Sequence, residues 1–156
     1  MHSKIEHLSQ KEQQLILDSP LLVTVLIAGA DGNFDEAEIK TAIKIIHTKS
    51  YAEEKDVRGI FKDIDSHSES AIDSLIYSMP TDLTSRTVSI TRKLEELNEI
   101  MPKLEVQFAK DLYKSLRELA YYIGHSHDSI LGIGFNLKVK KDLLHLDMIQ
   151  EPFHNH

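Results

Sequence analysis

The sequence of 156 residues contains no cysteine. A chain without cysteine has neither a disulfide framework, nor a thiolate metal site, nor a cysteine nucleophile. It also lacks a long apolar run, since the longest, Leu21 to Ala30, falls well short of the roughly 20 residues that span a bilayer. The first residues, Met1 to His7, lack the apolar core of a signal peptide. We therefore expect a cytoplasmic protein with no membrane span.

Positive charge is scarce, with 18 lysine and arginine residues against 25 aspartate and glutamate residues and a net charge of −7. Affinity for nucleic acid comes mainly from neutralising phosphates, so this excess of acidic residues argues against general nucleic-acid binding. It favours cations or basic protein surfaces as partners. A chain of this length that is 41 % hydrophobic can bury one real core. The sequence thus predicts a single domain over 1–156, with frayed ends at 1–8 and 150–156.

The apolar/polar alternation typical of strands is also missing, and helical spacing recurs along the whole chain. We predict an all-α, single-domain bundle of about seven to eight helices. Ser9 and Glu12 form a capping-box pattern that opens the first helix, and Pro20 is placed at the first position of the next. The residues from Leu21 to Ala28 leave almost no polar face, so this second helix should be central and buried.

Further helix boundaries follow from caps and prolines. Ser50 and Glu53 predict the start of another helix. Asp82 to Met101 reads as one long amphipathic helix that ends at Pro102. The apolar spacing after Pro102 predicts a helix that ends at Gly124 and pairs with the preceding one as an antiparallel hairpin, and a last helix should reach about Met148.

An acidic turn is the one segment that resembles a site. Four carboxylates, Asp31, Asp35, Glu36 and Glu38, lie within eight positions where one apolar helix should end and another begin. Gly32 permits the left-handed conformation of a turn, and Asp35 with Glu38 fits a capping box in which aspartate replaces serine or threonine. Capping does not require Asp31 and Glu36. Four like charges in so small a space repel unless solvent, a cation or a basic partner separates them.

The same turn matches the second half of a calcium-binding EF-hand loop. Asp31, Asp35 and Glu38 fall at the fifth, ninth and twelfth loop positions, and Gly32 falls at the sixth. The first half is missing, because the first and third positions are apolar or glycine and offer no side-chain oxygen. Calcium takes about 6–8 oxygen ligands, so a complete EF-hand is excluded. Two interpretations stay open: helix caps in a solvated turn, or a hard-cation site completed by water or another segment.

These residues also carry a family resemblance. An apolar helix that runs into Ala30-Asp31-Gly32-Asn33-Phe34-Asp35-Glu36-Ala37-Glu38-Ile39 resembles the TerB-like (tellurite-resistance) family. The stretch from Tyr122 to Phe135 is similar to a degenerate second loop of that family, but three lysines, Lys138, Lys140 and Lys141, stand with Asp142 where a second acidic helix start is expected. The resemblance implies a helical bundle, a cytoplasmic stress-associated role, divalent-cation binding by the acidic turn and interaction with partners in place of catalysis.

Histidine is the other abundant chemical type, with nine copies. His125, His127 and Asp128 form the only cluster with close ligand spacing, and two imidazoles with a carboxylate can hold zinc or nickel. A polar loop after a helix end also tolerates histidine freely, and the sequence identifies no third imidazole that would complete a tetrahedral set. One Glu-x-x-His pair occurs, Glu151 with His154, so the two pairs that the usual di-iron bundle pattern requires are not both present.

From these observations we predict a non-enzymatic, stress-associated binding protein that holds a divalent hard cation, Ca²⁺ first and Mg²⁺ second. Asp31, Asp35 and Glu38 would be the ligands, Glu36 an auxiliary one, and an unknown protein the partner. The alternatives are a metal-dependent hydrolase that uses His125, His127 and Asp128, and a metal-independent scaffold. The sequence does not predict an oligomeric state.

Overall fold

The computed structural model describes residues 3–30, 32–53, 55–126 and 143–154. The helices are α1 (Gln10–Ala28), α2 (Glu36–Ala52), α3 (Lys55–Asp65), α4 (Ser68–Ser78), α5 (Leu83–Glu95), the short α6 (Leu97–Ile100) and α7 (Val106–Gly124), with a 3₁₀ turn at Met101–Lys103. No strand occurs in these ranges, so the all-α prediction is confirmed. Six of the helices in these ranges have eleven or more residues, so the expected number of seven to eight is not confirmed. The predicted last helix falls mostly on residues outside the described ranges.

The predicted capping box at the start of α1 is confirmed. The Ser9 hydroxyl accepts from the Glu12 amide at 3.2 Å, and the Glu12 carboxylate accepts from the Ser9 amide at 3.0 Å. The Lys103 ammonium donates to the same carboxylate at 2.6 Å. Hydrogen bonds from Lys103 and from the Ser9 amide lower the pKa of Glu12 to about 2. The start of α1 is thereby tied to the 3₁₀ turn that precedes α7.

Pro20 does not begin a new helix but lies inside α1, so that prediction is wrong. Proline has no N–H, and within a helix it leaves the carbonyl four residues earlier without its usual donor. Here that carbonyl belongs to Ile16, and the buried Ser19 hydroxyl donates to it at 2.7 Å. The side chain next to the proline replaces the missing backbone bond, and the helix continues to Ala28.

Ser19→Ala is therefore expected to lower the free energy of unfolding by about 1 kcal/mol, because it leaves the Ile16 carbonyl buried without that donor. In a Pro20→Ala background the same substitution should cost less, since the new amide at position 20 can donate to Ile16. Urea denaturation of the four proteins measures both effects. An equal cost in the two backgrounds would contradict this account of the continuous helix.

Two other predicted boundaries are also wrong. Ser50 lies within α2, where its hydroxyl donates to the His47 carbonyl, and it does not cap the next helix. The predicted helix from Asp82 to Met101 is divided after Glu95 into α5, α6 and the 3₁₀ turn. Asp82, where the predicted helix begins, is the N-cap of α5, because its carboxylate accepts from the Ser85 amide at 2.8 Å.

The predicted hairpin between α5 and α7 does not form. In the described residues, α7 packs on α1 and α2 and does not contact α5. The cause is the composition of α1, whose residues from Ser19 to Ala28 are all buried, so that it lies at the centre and contacts helices on every side. The expectation of a central, buried apolar segment is thus confirmed, but this segment is the second half of α1 and not a helix of its own.

The buried apolar side chains of the described residues form one cluster. Its members include Ile5 and Leu8. The Nε2 atom of His7 also bonds to the Lys103 carbonyl at 2.7 Å. The predicted fraying over 1–8 therefore does not hold for the described part of that segment. Near the other end, Pro152 is buried and Phe153 packs on the cluster. Among the helices of the described ranges, none is both long and apolar enough to cross a membrane.

Candidate functional site

The acidic turn connects α1 to α2, as the sequence predicts. Gly32 has a φ of +98°, a left-handed conformation that favours glycine, and its amide donates to the Gly29 carbonyl at 3.1 Å. The turn is thus closed by its own backbone. Asp31, the first predicted metal ligand, lies outside the described residues.

Asp35 is the N-cap of α2. Its carboxylate accepts from the amides of Ala37 and Glu38 at 2.9 and 3.2 Å. The Asp35 amide, which the predicted capping box pairs with the Glu38 side chain, donates to the Ala28 carbonyl at 3.3 Å. The predicted bonds from the helix amides to the Asp35 carboxylate are therefore confirmed. The Asp35 amide instead bonds across the turn to the end of α1. Asp35 therefore has a structural role whether or not a cation binds.

Glu36 and Glu38 lie in opposite environments although both belong to the first turn of α2. Glu36 is exposed to solvent, whereas Glu38 is 0 % exposed. A buried carboxylate is costly unless hydrogen bonds or opposite charge compensate it, and the positive end of the α2 dipole contributes part of that compensation. In the part of the chain that the structure describes, which leaves out Asp31, no three histidine, aspartate or glutamate side chains gather as a metal-ligand group.

Arg86 is a residue of this site that sequence reasoning missed. It lies on α5, is only 5 % exposed, and donates to the Gly29 carbonyl at 3.1 Å and to the Thr81 carbonyl at 3.3 Å. Its guanidinium also lies 4.5 Å from the centre of the Phe34 ring, a cation–π contact. The buried Arg86 side chain thus contacts Gly29, just before the acidic residues of the turn, and Phe34, within the turn.

Phe34 is fixed from a second direction by Gly29. A Cβ atom at Gly29 would lie 2.7 Å from the Phe34 ring, closer than real contacts allow, so glycine is needed for this approach. The acidic turn is consequently held between the end of α1 and the start of α5. The described carboxylates of the turn, those of Asp35, Glu36 and Glu38, therefore follow a backbone that is bonded to the end of α1.

The histidine cluster is described only at its first member. The Nδ1 of His125 lies 2.7 Å from the Tyr121 carbonyl, to which it must donate its proton, and its ring stacks on Tyr121 with 4.0 Å between centroids. His125 could therefore offer a metal only Nε2 without losing that bond. His127 and Asp128 lie outside the described residues.

Comparisons with protein-family models, with curated proteins and with solved structures gave no match for this chain. The resemblance to the TerB-like family and the stress-associated role that it implies stay predictions.

Proposed function

We propose that this protein is a non-enzymatic binding module that holds a divalent hard cation, Ca²⁺ before Mg²⁺, at the acidic turn and acts through a protein partner. Asp31, Asp35 and Glu38 are the proposed ligands, and Glu36 is auxiliary. The resemblance to TerB-like proteins supports the same site and a stress-associated, cytoplasmic role.

The observation that carries this proposal is the complete burial of Glu38, the last acidic residue of the turn, in the first turn of α2. A cation at the turn would lower the cost of keeping that carboxylate ionised, and it would also reduce repulsion among its acidic neighbours. The anchoring of the turn by Arg86 supports the proposal further, because a site held in place loses less entropy on binding. Oxygen-only donors of this type suit calcium and magnesium better than softer metals.

Calcium is expected to raise the free energy of unfolding. With an affinity on the order of 10⁻⁴ M, as for weakly furnished oxygen sites, about 1 mM Ca²⁺ should add about 1.4 kcal/mol by mass action. Urea denaturation with calcium and with chelator measures the difference, and the double substitution Asp31→Asn with Glu38→Gln should abolish it. The proposal fails if calcium has no effect or stabilises the double variant equally.

Asp35 needs its own variant because it is already a cap. Asp35→Ser retains a capping oxygen, so the chelated protein should change by only a few tenths of a kcal/mol, whereas Asp35→Ala should cost about 1 kcal/mol. If Asp35 is also a ligand, Asp35→Ser should lose most of the calcium response. A response equal to that of the unsubstituted protein would remove Asp35 from the site.

Two alternatives predict different results in the same samples. A metal-independent scaffold is favoured by the use of Asp35 as a cap, and it predicts no calcium response in any variant. A metal-dependent hydrolase at His125, His127 and Asp128 predicts retained zinc, nickel, iron or manganese by elemental analysis, because imidazole ligands bind these ions tightly. Retained metal that is lost on replacing both histidines by glutamine would move the site to the second half of the chain.

A further inference from the structure

A second candidate site lies on α7 and shares no residue with the acidic turn. A cleft of about 570 Å³ opens between α7 and the segment that carries Leu144, His145 and Pro152. That volume is within the range of about 300–1,000 Å³ typical of small-molecule sites. The α7 side of the cleft combines lysine, arginine and tyrosine side chains, so its chemistry differs from that of the acidic turn.

The cations of the cleft are unusual in a chain with a net charge of −7. Lys110, Lys114 and Arg117 follow one another at helical spacing along a single face. None of the three pairs with a carboxylate of the described residues. Arg117 is held over the cleft, with its Nη2 3.5 Å from the Nδ1 of His145 and its guanidinium 5.5 Å from the Tyr113 ring centre. The cleft therefore presents three positive charges available to an anion.

Two carboxylates, Glu118 and Glu151, also line the cleft, and each contacts a side chain outside α7. Glu118 pairs with Lys49 of α2 at 3.0 Å. Glu151 pairs with His154 at 2.8 Å when that histidine is protonated. Lys49 also pairs with Glu53 at 2.7 Å, so one lysine is shared by two acids. The lining of the cleft therefore carries three lysine and arginine side chains against two carboxylates.

Aromatic rings lie at the other end of the same face. Tyr121 and Tyr122 are 53 % and 54 % exposed, although tyrosine rings are usually buried to a greater extent. His125 stacks on one face of Tyr121, and Tyr122 packs against it edge to face with 5.6 Å between centroids. Tyr121 is thereby held in position while it still lines the cleft.

The spacing of these groups matches a ligand with a phosphate at one end and a planar ring at the other. Lys114 and Tyr121 are seven residues apart, which is about 10 Å along a helix. Lysine and arginine side chains bind phosphate by charge-assisted hydrogen bonds, and tyrosine rings stack on nucleobases. We propose that this cleft binds a mononucleotide, with its phosphates at Lys110, Lys114 and Arg117 and its base against Tyr121.

A small nucleotide fits the observations better than a nucleic-acid strand. The cationic face is short and is bounded by Leu144 and Pro152, whereas a strand would continue over a surface whose net charge is negative. A nucleotide places its charge only where the three cations lie.

Isothermal titration calorimetry of the full chain with ADP tests this proposal. A chelator is present throughout, so that a cation bound at the acidic turn does not contribute. ADP should bind measurably, and adenosine and pyrophosphate should each bind at least about tenfold more weakly than ADP. A short oligouridine should bind no more tightly than ADP when its affinity is expressed per nucleotide. Lys114→Gln and Arg117→Gln should each weaken ADP binding about tenfold. Tyr121→Leu should weaken it about fivefold or more.

The matched control is Lys44→Gln, which removes an exposed lysine from the middle of α2, away from the cleft. It should leave ADP affinity unchanged. The four substituted side chains are all exposed, so each variant should unfold at the same urea concentration as the parent chain. The proposal is overturned if ADP fails to bind at millimolar concentration, or if Lys44→Gln weakens binding as much as Lys114→Gln. Equal binding of ADP and pyrophosphate, or tighter binding of the oligouridine, would overturn the mononucleotide class.

Discussion

Arg86→Ala is expected to lower the free energy of unfolding by about 3 kcal/mol. The substitution removes a 95 % buried side chain, two hydrogen bonds to the carbonyls of Gly29 and Thr81, and the cation that lies over the Phe34 ring. Hydrogen bonds from charged groups contribute about 1.5–3 kcal/mol, and the lost packing of the long side chain adds to this cost. The effect should extend to the site, because the backbone that enters the acidic turn loses its donor.

Arg86→Lys and Arg92→Ala are the controls. Lysine keeps the charge but not the planar fork that reaches two carbonyls, so Arg86→Lys should recover less than half of the lost stability. Arg92 lies on the same helix but is exposed, and Arg92→Ala should change stability by less than about 0.5 kcal/mol. Urea denaturation measures all three variants. Similar costs for Arg86→Ala and Arg92→Ala would show that Arg86 does not anchor the turn.

The features that the sequence predicts correctly are local ones. The caps predicted at Ser9 and Asp35 depend on residues within one helical turn, and both are present. The central position of the second half of α1, Ser19 to Ala28, follows from its composition, because a helical segment with almost no polar face must be covered on every side.

The features that the sequence does not predict depend on contacts that cannot be seen in a short stretch of sequence. Pro20 is tolerated because a neighbouring hydroxyl bonds to the freed carbonyl, and the usual rule for proline does not include that compensation. Helix α7 packs on α1 and not on α5. Which helix it contacts depends on how all the apolar faces of the bundle fit together.

Part of the candidate site could have been predicted more closely. Glu38 is on the buried stripe of α2 with Ala42 and Ile46, four and eight residues later, and this spacing marks its side chain as inward. Arg86 is related in the same way to Ile90 and Leu94 on α5. The spacing identifies these two residues as buried charges, but it does not identify Gly29 and Phe34 as the contacts of Arg86, since they lie more than fifty positions away.

The cleft on α7 shows the same division between local and distant information. The stripe of Lys110, Lys114, Arg117 and Tyr121 can be read from helical spacing alone. A stripe of this kind is most often a solvated face. It becomes the wall of a cleft only because residues from the last part of the chain, Leu144 to Pro152, lie opposite it.

Gly29→Ala is expected to lower the free energy of unfolding by about 2 kcal/mol. The backbone at Gly29 has a φ of −102°, which alanine adopts easily, so the cost comes from space and not from conformation. The new Cβ would lie 2.7 Å from the Phe34 ring and 3.1 Å from the Val25 carbonyl oxygen. The ring has little freedom to retreat because the Arg86 guanidinium lies over its face, and overpacking of this kind typically costs about 1–3 kcal/mol.

A double-mutant cycle separates this cause from a general loss of helix-end stability. Phe34→Leu removes the ring atoms that the new methyl group would meet, so Gly29→Ala combined with Phe34→Leu should cost at least about 1 kcal/mol less than the sum of the single variants. Gly32→Ala is the matched control, because its φ of +98° strains an alanine while the nearest side-chain atom, in Leu83, is 3.8 Å away. Phe34→Leu should not relieve that cost. Additive costs for Gly29→Ala and Phe34→Leu would mean that the ring does not press on Gly29, and the turn would then depend on Arg86 alone for its position.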